Sequence, residues 1–441
     1  MQNIKIPKRY STAILNSMSA GVVPHIGLEY IAVGRKAEVQ SILKDLENIA
    51  DGGGAFRFIV GKYGSGKSFL LQLARNNALE RNYLVADVDL SPERRLTGTK
   101  GQGLKMYREL MSRLSTKARP DGNAMESLLQ RWIMDVQRDV SKSGISTEHP
   151  GFVDAVEAGI QDTANDMQAY IYGYDFARVL LKYWEGYRNE NEELKQGALR
   201  WLRGEFDKKS DAKFLGVSQI ITDDTWYEFI KLLARLSTRL GYKGLLLFID
   251  EEVNLYKITN RISRENNYEK LLTMFNDIMQ GRTEYLGIFV GGTPQSVEDE
   301  RRGLFSYEAL KSRLSTSALV RDGLVDFSGP IIRLETLTLE EIYLLLEKLM
   351  GVYCTHHRIA PLLSQEQMVA FMEMVSNRIG AEKLLTPREV TRDFLTLLSL
   401  LHQNPKESFD SLTRSGRVQI KSADSDPDDL NDDLFAEYDK V

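Results

Sequence analysis

Residues 56–73 read FRFIVGKYGSGKSFLLQL. Phe56–Val60 is an unbroken apolar run of the length of a buried strand. It passes into Gly61-Lys62-Tyr63-Gly64-Ser65-Gly66-Lys67-Ser68, which meets G-x-x-x-x-G-K-[ST] at every fixed position. Phe69, Leu70, Leu71 and Leu73 follow as the apolar residues of a helix buried against a sheet. Strand, glycine loop and helix together form the setting a phosphate-binding loop needs, and a chance glycine turn is not expected to carry both flanks. Gly61, Gly64 and Gly66 let the backbone wrap so that N–H groups face phosphate oxygens, and the helix N-terminus adds partial positive charge. Tyr63, Ser65 and Phe69 complete the expected nucleotide-binding set. Lys67 is expected to reach the β- and γ-phosphates of ATP, and Ser68 to hold Mg²⁺ through its hydroxyl.

A second run answers the first. Gly244-Leu245-Leu246-Leu247-Phe248-Ile249 ends in Asp250-Glu251-Glu252. Five consecutive apolar residues predict a strand buried on both faces, as in a parallel sheet. Acids at its C-terminal end fall on the edge where such sheets bind ligands. This fits a Walker B element, with Asp250 holding Mg²⁺ and Glu251 orienting and polarising the attacking water. Glu252 is the weaker candidate of the three. Leu286–Pro294, LGIFVGGTP, predicts another buried strand ending at Thr293, where a "sensor 1" residue or a plain turn residue would stand. Arg313, in ALKSRL, stands where an arginine finger for a neighbour's ATP would be, with Arg301 and Arg302 competing for that role and a plain surface charge as the alternative for each. Arg388, in TPREVTRDF, stands where a "sensor 2" arginine would act, or where a helix start holds an ion pair.

Bulk composition is that of an ordinary globular chain. The 441 residues are 42% hydrophobic and 27% charged, with a net charge of −5 and a pI near 5.8. That balance does not advertise a nucleic-acid binder, although a charged face can coexist with an acidic tail. No run is apolar enough to span a bilayer, and MQNIKIPKRYSTAIL lacks the apolar core of a signal peptide. One cysteine, Cys354, excludes an intrachain disulfide framework and suits a reducing cytoplasm, with buried filler as its expected role.

The remaining chain sorts into segments. Residues 1–25 are expected as an extended N-terminal arm or a partner-binding segment, and 26–90 as the first part of an ATPase core. Gly34-Arg35, leading into VQSILKDLENIA, matches the hydrophobic-Gly-Arg step that packs near adenine in many AAA+ ATPases, or is a plain helix start after a glycine turn. Asp87 and Asp89 close a second core strand, as remote magnesium partners or as caps. Residues 91–225 show helical periodicity and almost no strand-like runs, which predicts a helical insertion. It opens on the polar loop 92–103, and Tyr183, Trp184, Tyr187, Trp201, Trp226 and Tyr227 sit at helical spacing as core residues. Residues 226–336 are expected as the second part of the core, 337–405 as a helical lid with Thr338 as N-cap, and 406–441 as a disordered acidic tail. Leu430, Leu434, Phe435 and Tyr438 within that tail could form a docking helix.

Taken in order, Gly34-Arg35, GKYGSGKS, LLLFIDEE, FVGGTP, LKSRL and TPREVTRDF resemble the ATP-binding proteins of bacteriophage-exclusion (BREX) defence systems, over about residues 20–405. The resemblance implies an α/β fold: an AAA+-like P-loop core with a parallel sheet, a long helical insertion and a C-terminal helical lid. It implies an ATPase using ATP and Mg²⁺, forming a homo-oligomer, and acting in the cytoplasm on DNA or with a helicase or methyltransferase of the same locus. Lys67, Ser68, Asp250 and Glu251 carry over firmly, and Thr293, Arg313 and Arg388 less so. Two rivals belong to other classes. One is a STAND-type signalling switch that holds nucleotide and turns over rarely. The other is a small-acceptor kinase, against which the Asp250-Glu251 pair argues because it suits water activation.

Overall fold

The computed structural model describes residues 5–315, 326–376 and 386–414. The first elements are α1 (Lys8–Ser19), α2 (Lys36–Ala50), β1 (Gly54–Gly61), α3 (Lys67–Glu80) and β2 (Leu84–Asp89). Helices then dominate: α4 (Gln102–Ser112), α5 (Met125–Lys142), α6 (Phe152–Met167), α7 (Gly173–Arg188), α8 (Glu192–Leu202) and α9 (Trp226–Arg239). The sheet resumes with β3 (Leu245–Asp250), α10 (Val253–Tyr256), α11 (Arg261–Met279) and β4 (Leu286–Gly292). Next come α12 (Pro294–Glu298), α13 (Glu308–Leu314) and β5 (Ile331–Leu334). The chain closes on α14 (Leu339–His357), α15 (Gln365–Ser376), α16 (Pro387–Gln403) and α17 (Phe409–Arg414).

The five strands form one parallel sheet in the order β2-β3-β4-β1-β5. Register pairs Leu84 with Leu245 and carries through to Asp89 opposite Asp250, so two carboxylates end adjacent strands side by side. The apolar runs account for this. Residues Leu245–Ile249 and Leu286–Gly292 are buried throughout, and Phe248 stacks on Phe289 with ring centroids 5.3 Å apart. Each is a strand covered on both faces, so neither shows alternation.

The chain divides into two compact units, one within 1–41, 59–76 and 331–441, the other within 42–58 and 77–330. In the first, α14–α17 and α1 share one apolar cluster that includes Ile14, Leu346, Phe371, Phe394 and Leu398. Here an expectation fails: residues 8–19 are not an extended arm. Ile14 and Leu15 are buried, Ser11 Oγ lies 2.9 Å from His356 Nδ1, and helix formation lets one face of α1 cover α14 and α16. Cys354 is buried filler in α14, as expected.

In the second unit the helices between β2 and β3 build their own aromatic core. Trp201 meets Phe229 edge-on at 5.2 Å, and Tyr183, Trp184, Trp226 and Tyr227 are buried, while Tyr187 is half-buried against Trp184. Helices α7 and α8 are separated by a break at Asn189–Asn191. Glu190 takes a positive φ there, and the Asn191 side chain caps α8 by accepting from the Leu194 N–H at 3.0 Å. The loop 96–104 is a tightly held connection. Asp223 accepts from the N–H groups of Gly98, Gly103 and Leu104, and Asn267 Oδ1 from those of Leu96 and Thr97. The tail residues Leu430, Leu434, Phe435 and Tyr438 lie outside the described residues.

Candidate nucleotide site

The glycine loop leaves β1 and enters α3 at Lys67. Gly64 and Gly66 take φ of +76° and +91°, conformations that place successive N–H groups on the inside of the turn. The constraint at Gly64 is double, because a Cβ there would also come within 2.7 Å of Thr386. At Gly66 a Cβ would meet nothing within 4 Å, so that side of the loop is open. The Lys67 Nζ folds across the loop, donating to the carbonyls of Gly61 at 2.7 Å and Lys62 at 3.0 Å, and lies 5.2 Å from the centre of the Tyr63 ring. Ser68, in the first turn of α3, is exposed; Phe69 is half-buried. Ser65 is buried and its Oγ has no hydrogen-bond partner. An open cradle of left-handed glycines, a cation at its mouth and an exposed hydroxyl at the start of a 14-residue helix fit a polyphosphate.

Two further segments of the same unit close on this loop. Gly34 has φ +67°, and a Cβ on it would lie 2.2 Å from Glu341 Oε1 in the first turn of α14. Arg35 is buried. One of its terminal nitrogens donates to the carbonyls of Ser65 and Glu335, each at 2.7 Å, and the other to Glu38 at 3.2 Å. These bonds direct the Arg35 charge at the protein backbone, so the side chain braces the loop. At the start of α16, Thr386 caps the helix by accepting from the Glu389 N–H, Pro387 occupies its first turn, and Arg388 is exposed with its stem 3.4 Å from where a Gly21 Cβ would be.

In the other unit the three acids after β3 differ sharply. Asp250 is half-buried, and its Oδ1 accepts from the Glu251 N–H at 2.8 Å. Glu251 is exposed and takes φ +59°, a left-handed backbone that non-glycine residues enter at a cost of about 1 kcal/mol or more. Glu252 is wholly buried. Its Oε2 accepts a short bond from the Ser296 hydroxyl, while Oε1 has no partner. Burial pushes this carboxyl up to about 8, against the opposing pull of the Ser296 hydroxyl. Asp89 is likewise raised, first by burial and then by Asp250 beside it, with Arg113 opposing. Asp87 is paired with Arg113 at 3.0 Å.

Thr293 sits at the end of β4 as the N-cap of α12 and is 3% exposed. Its Oγ1 accepts from the Ser296 N–H at 3.1 Å, and its own N–H donates to Ser296 Oγ at 3.0 Å. That reciprocal box makes it a cap, so the sensor reading has no exposed hydroxyl to rest on. Arg313 is exposed on α13, steadied by Asn276 at 2.8 Å and by the Ala309 carbonyl at 2.7 Å. Arg302 lies over the Tyr256 ring at 5.4 Å. Sequence reasoning ranked Glu252 below its neighbours and did not mark Ser296. The signal available was the T-P-x-S spacing after β4, which is a capping pattern.

A parallel sheet with this loop after β1 and acids after β3 is compatible with a P-loop core. A family model described as "BREX system ATP-binding protein BrxC/D" matches residues 6–417. The chain belongs to that family, and with it to the ATP-binding proteins of BREX anti-phage defence. No curated protein matches the chain. Among the described residues no helix is long and apolar enough to cross a membrane.

Proposed function

We propose that the chain is a Mg²⁺-dependent, AAA+-like ATPase that acts as a cytoplasmic switch in anti-phage defence. The observation that carries this is the glycine loop, open at Gly66 and with the Lys67 amine across its mouth. Bound MgATP would supply a phosphoanhydride whose cleavage by water releases the γ-phosphate. The main-chain amides of residues 64–68 would bind the phosphates, and Lys67 would balance their charge. Ser68 and Asp250 are the residues that would hold the magnesium. Glu251 would orient the water and take its proton, and its strained backbone is of the kind found where a side chain is held for function.

In this reading residues 91–225 form an insertion, 337–405 a lid carrying Arg388, and Arg313 reaches the ATP of a neighbouring copy in a homo-oligomer. The exposure of both arginines supports it. DNA, or a helicase or methyltransferase of the same locus, would be the partner on which the switch acts. Lys67→Ala is the direct test: titration with ATP and Mg²⁺ should show affinity lowered a hundredfold or more and turnover lost. Normal turnover in that variant would remove the loop from the mechanism. Hydrolysis stimulated by DNA and dependent on Arg313 would support the ATPase reading. ADP retained through purification with negligible turnover would favour the STAND-type switch.

A further inference from the structure

We infer that Arg35 is a positioning residue that aims the amide of Gly66 into the phosphate cradle and ties that loop to the base of α14. The inference rests on nucleotide occupying the glycine loop, and it replaces an adenine contact with a backbone one. A trans peptide unit is planar, with its carbonyl and the following N–H pointing in opposite directions. The carbonyl of Ser65 is drawn onto the Arg35 guanidinium at 2.7 Å. The N–H of the same peptide unit, which belongs to Gly66, is therefore directed to the other side. Gly66 is also the position with open space beside it. Anchoring the carbonyl thus keeps one phosphate-binding donor turned toward its ligand before the ligand arrives.

The second half of the inference comes from the other carbonyl. Glu335 is the first residue after β5, and α14 begins four residues later. The same Arg35 nitrogen holds the Glu335 carbonyl at 2.7 Å, so one guanidinium grips the loop and the connection into α14 together. Gly34 adds an independent contact, because it lies against the Glu341 carboxylate in the first turn of α14. Glu341 also forms the capping box of that helix with Thr338, its carboxylate accepting from the Thr338 N–H at 2.9 Å and its own N–H donating to Thr338 Oγ1 at 3.2 Å. A shift of the Ser65–Gly66 peptide on phosphate binding would pull on Arg35 and, through it, on residues 335–341. Glu38, at 3.2 Å, holds the guanidinium in register without touching either carbonyl. Lysine would substitute only in part, since an ammonium lacks the planar fork that lets one nitrogen hold both carbonyls while the other holds Glu38.

The test uses the full chain and three ligands: ATP, GTP and inorganic triphosphate, each with Mg²⁺, read by calorimetric titration. Arg35→Ala should weaken all three by a similar factor, tenfold or more, and Arg35→Lys should fall between it and the parent. Hydrogen exchange at saturating ATP should show protection of residues 335–345 in the parent and its loss in both variants. A loss confined to ATP would return Arg35 to the base and overturn the inference. So would parent affinity, or parent-like protection of 335–345, in a variant that melts cooperatively. If Arg35→Ala fails to fold, the lysine variant carries the comparison. Failure of the parent itself to bind any of the three removes the loop reading, and this inference with it. Binding by the parent and equally by Arg35→Lys removes the inference alone.

Discussion

The glycine loop and the acid-ended strand hold their chemistry by opposite means. On the loop side the functional groups are backbone amides, and the order is imposed by glycines and by one buried cation, Arg35, bonded to two carbonyls. On the acid side the functional groups are carboxylates, and the order is imposed by burial, which rises from exposed Glu251 through half-buried Asp250 to fully buried Glu252. The contrast has a physical basis. An amide needs only a fixed direction to bind an anion, so the loop can be open. A carboxylate changes its charge with its surroundings, and burial is what pushes Glu252 up to about 8. Under the proposed function, the loop side would serve affinity and the acid side reaction.

That division can be broken by substitutions on each side. Glu251→Gln should lower kcat about a hundredfold or more, as loss of a general base does, with ATP affinity unchanged within about threefold. A tenfold loss of affinity in steady-state and binding measurements would erase the contrast. Gly34→Ala comes next. A Cβ meeting Glu341 and a left-handed backbone together should cost about 1–3 kcal/mol, read as a lower denaturant midpoint, with weaker ATP binding. An unchanged midpoint would show that Glu341 moves aside freely.

Glu252→Gln sharpens the acid side through pH. The folded carboxyl titrates near 8 against an ordinary 4.5, so between those values the unfolded chain binds fewer protons than the folded one. Stability of the parent therefore falls as pH rises from about 4.5 to 8 and then levels off. The melting temperature of Glu252→Gln should gain on the parent across that window. A gap constant with pH would mean that Glu252 keeps the same charge folded and unfolded. The smallest effect is expected at Thr338→Ala, where losing the capping box should cost about 1 kcal/mol by chemical denaturation. No change there would mean that packing alone sets the start of α14.

Much of this molecule is legible before any coordinates. The strands around Leu245 and Leu286 follow from apolar runs, because a strand buried on both faces needs no other pattern. Thr338 and Thr386 announce helix starts by hydroxyl and spacing. The glycine loop is readable because each glycine answers a local backbone demand. Other residues resist such reading because their partners are distant in sequence. Arg35 sits in a turn that reads as an adenine contact, yet its carbonyl partners lie 30 and 300 residues away. Residues 8–19 look like a polar arm until α14 and α16 supply a surface for Ile14 and Leu15.

Local chemistry thus determined the strands, the loop and the acids, since backbone conformation and apolar patterning act over a few residues. Tertiary structure alone decided that Arg35 braces the loop, that Thr293 is a cap and that Glu252 is buried beyond water. Those outcomes depend on which groups are brought within hydrogen-bond reach and which are shut off from solvent, and both are properties of the packed chain.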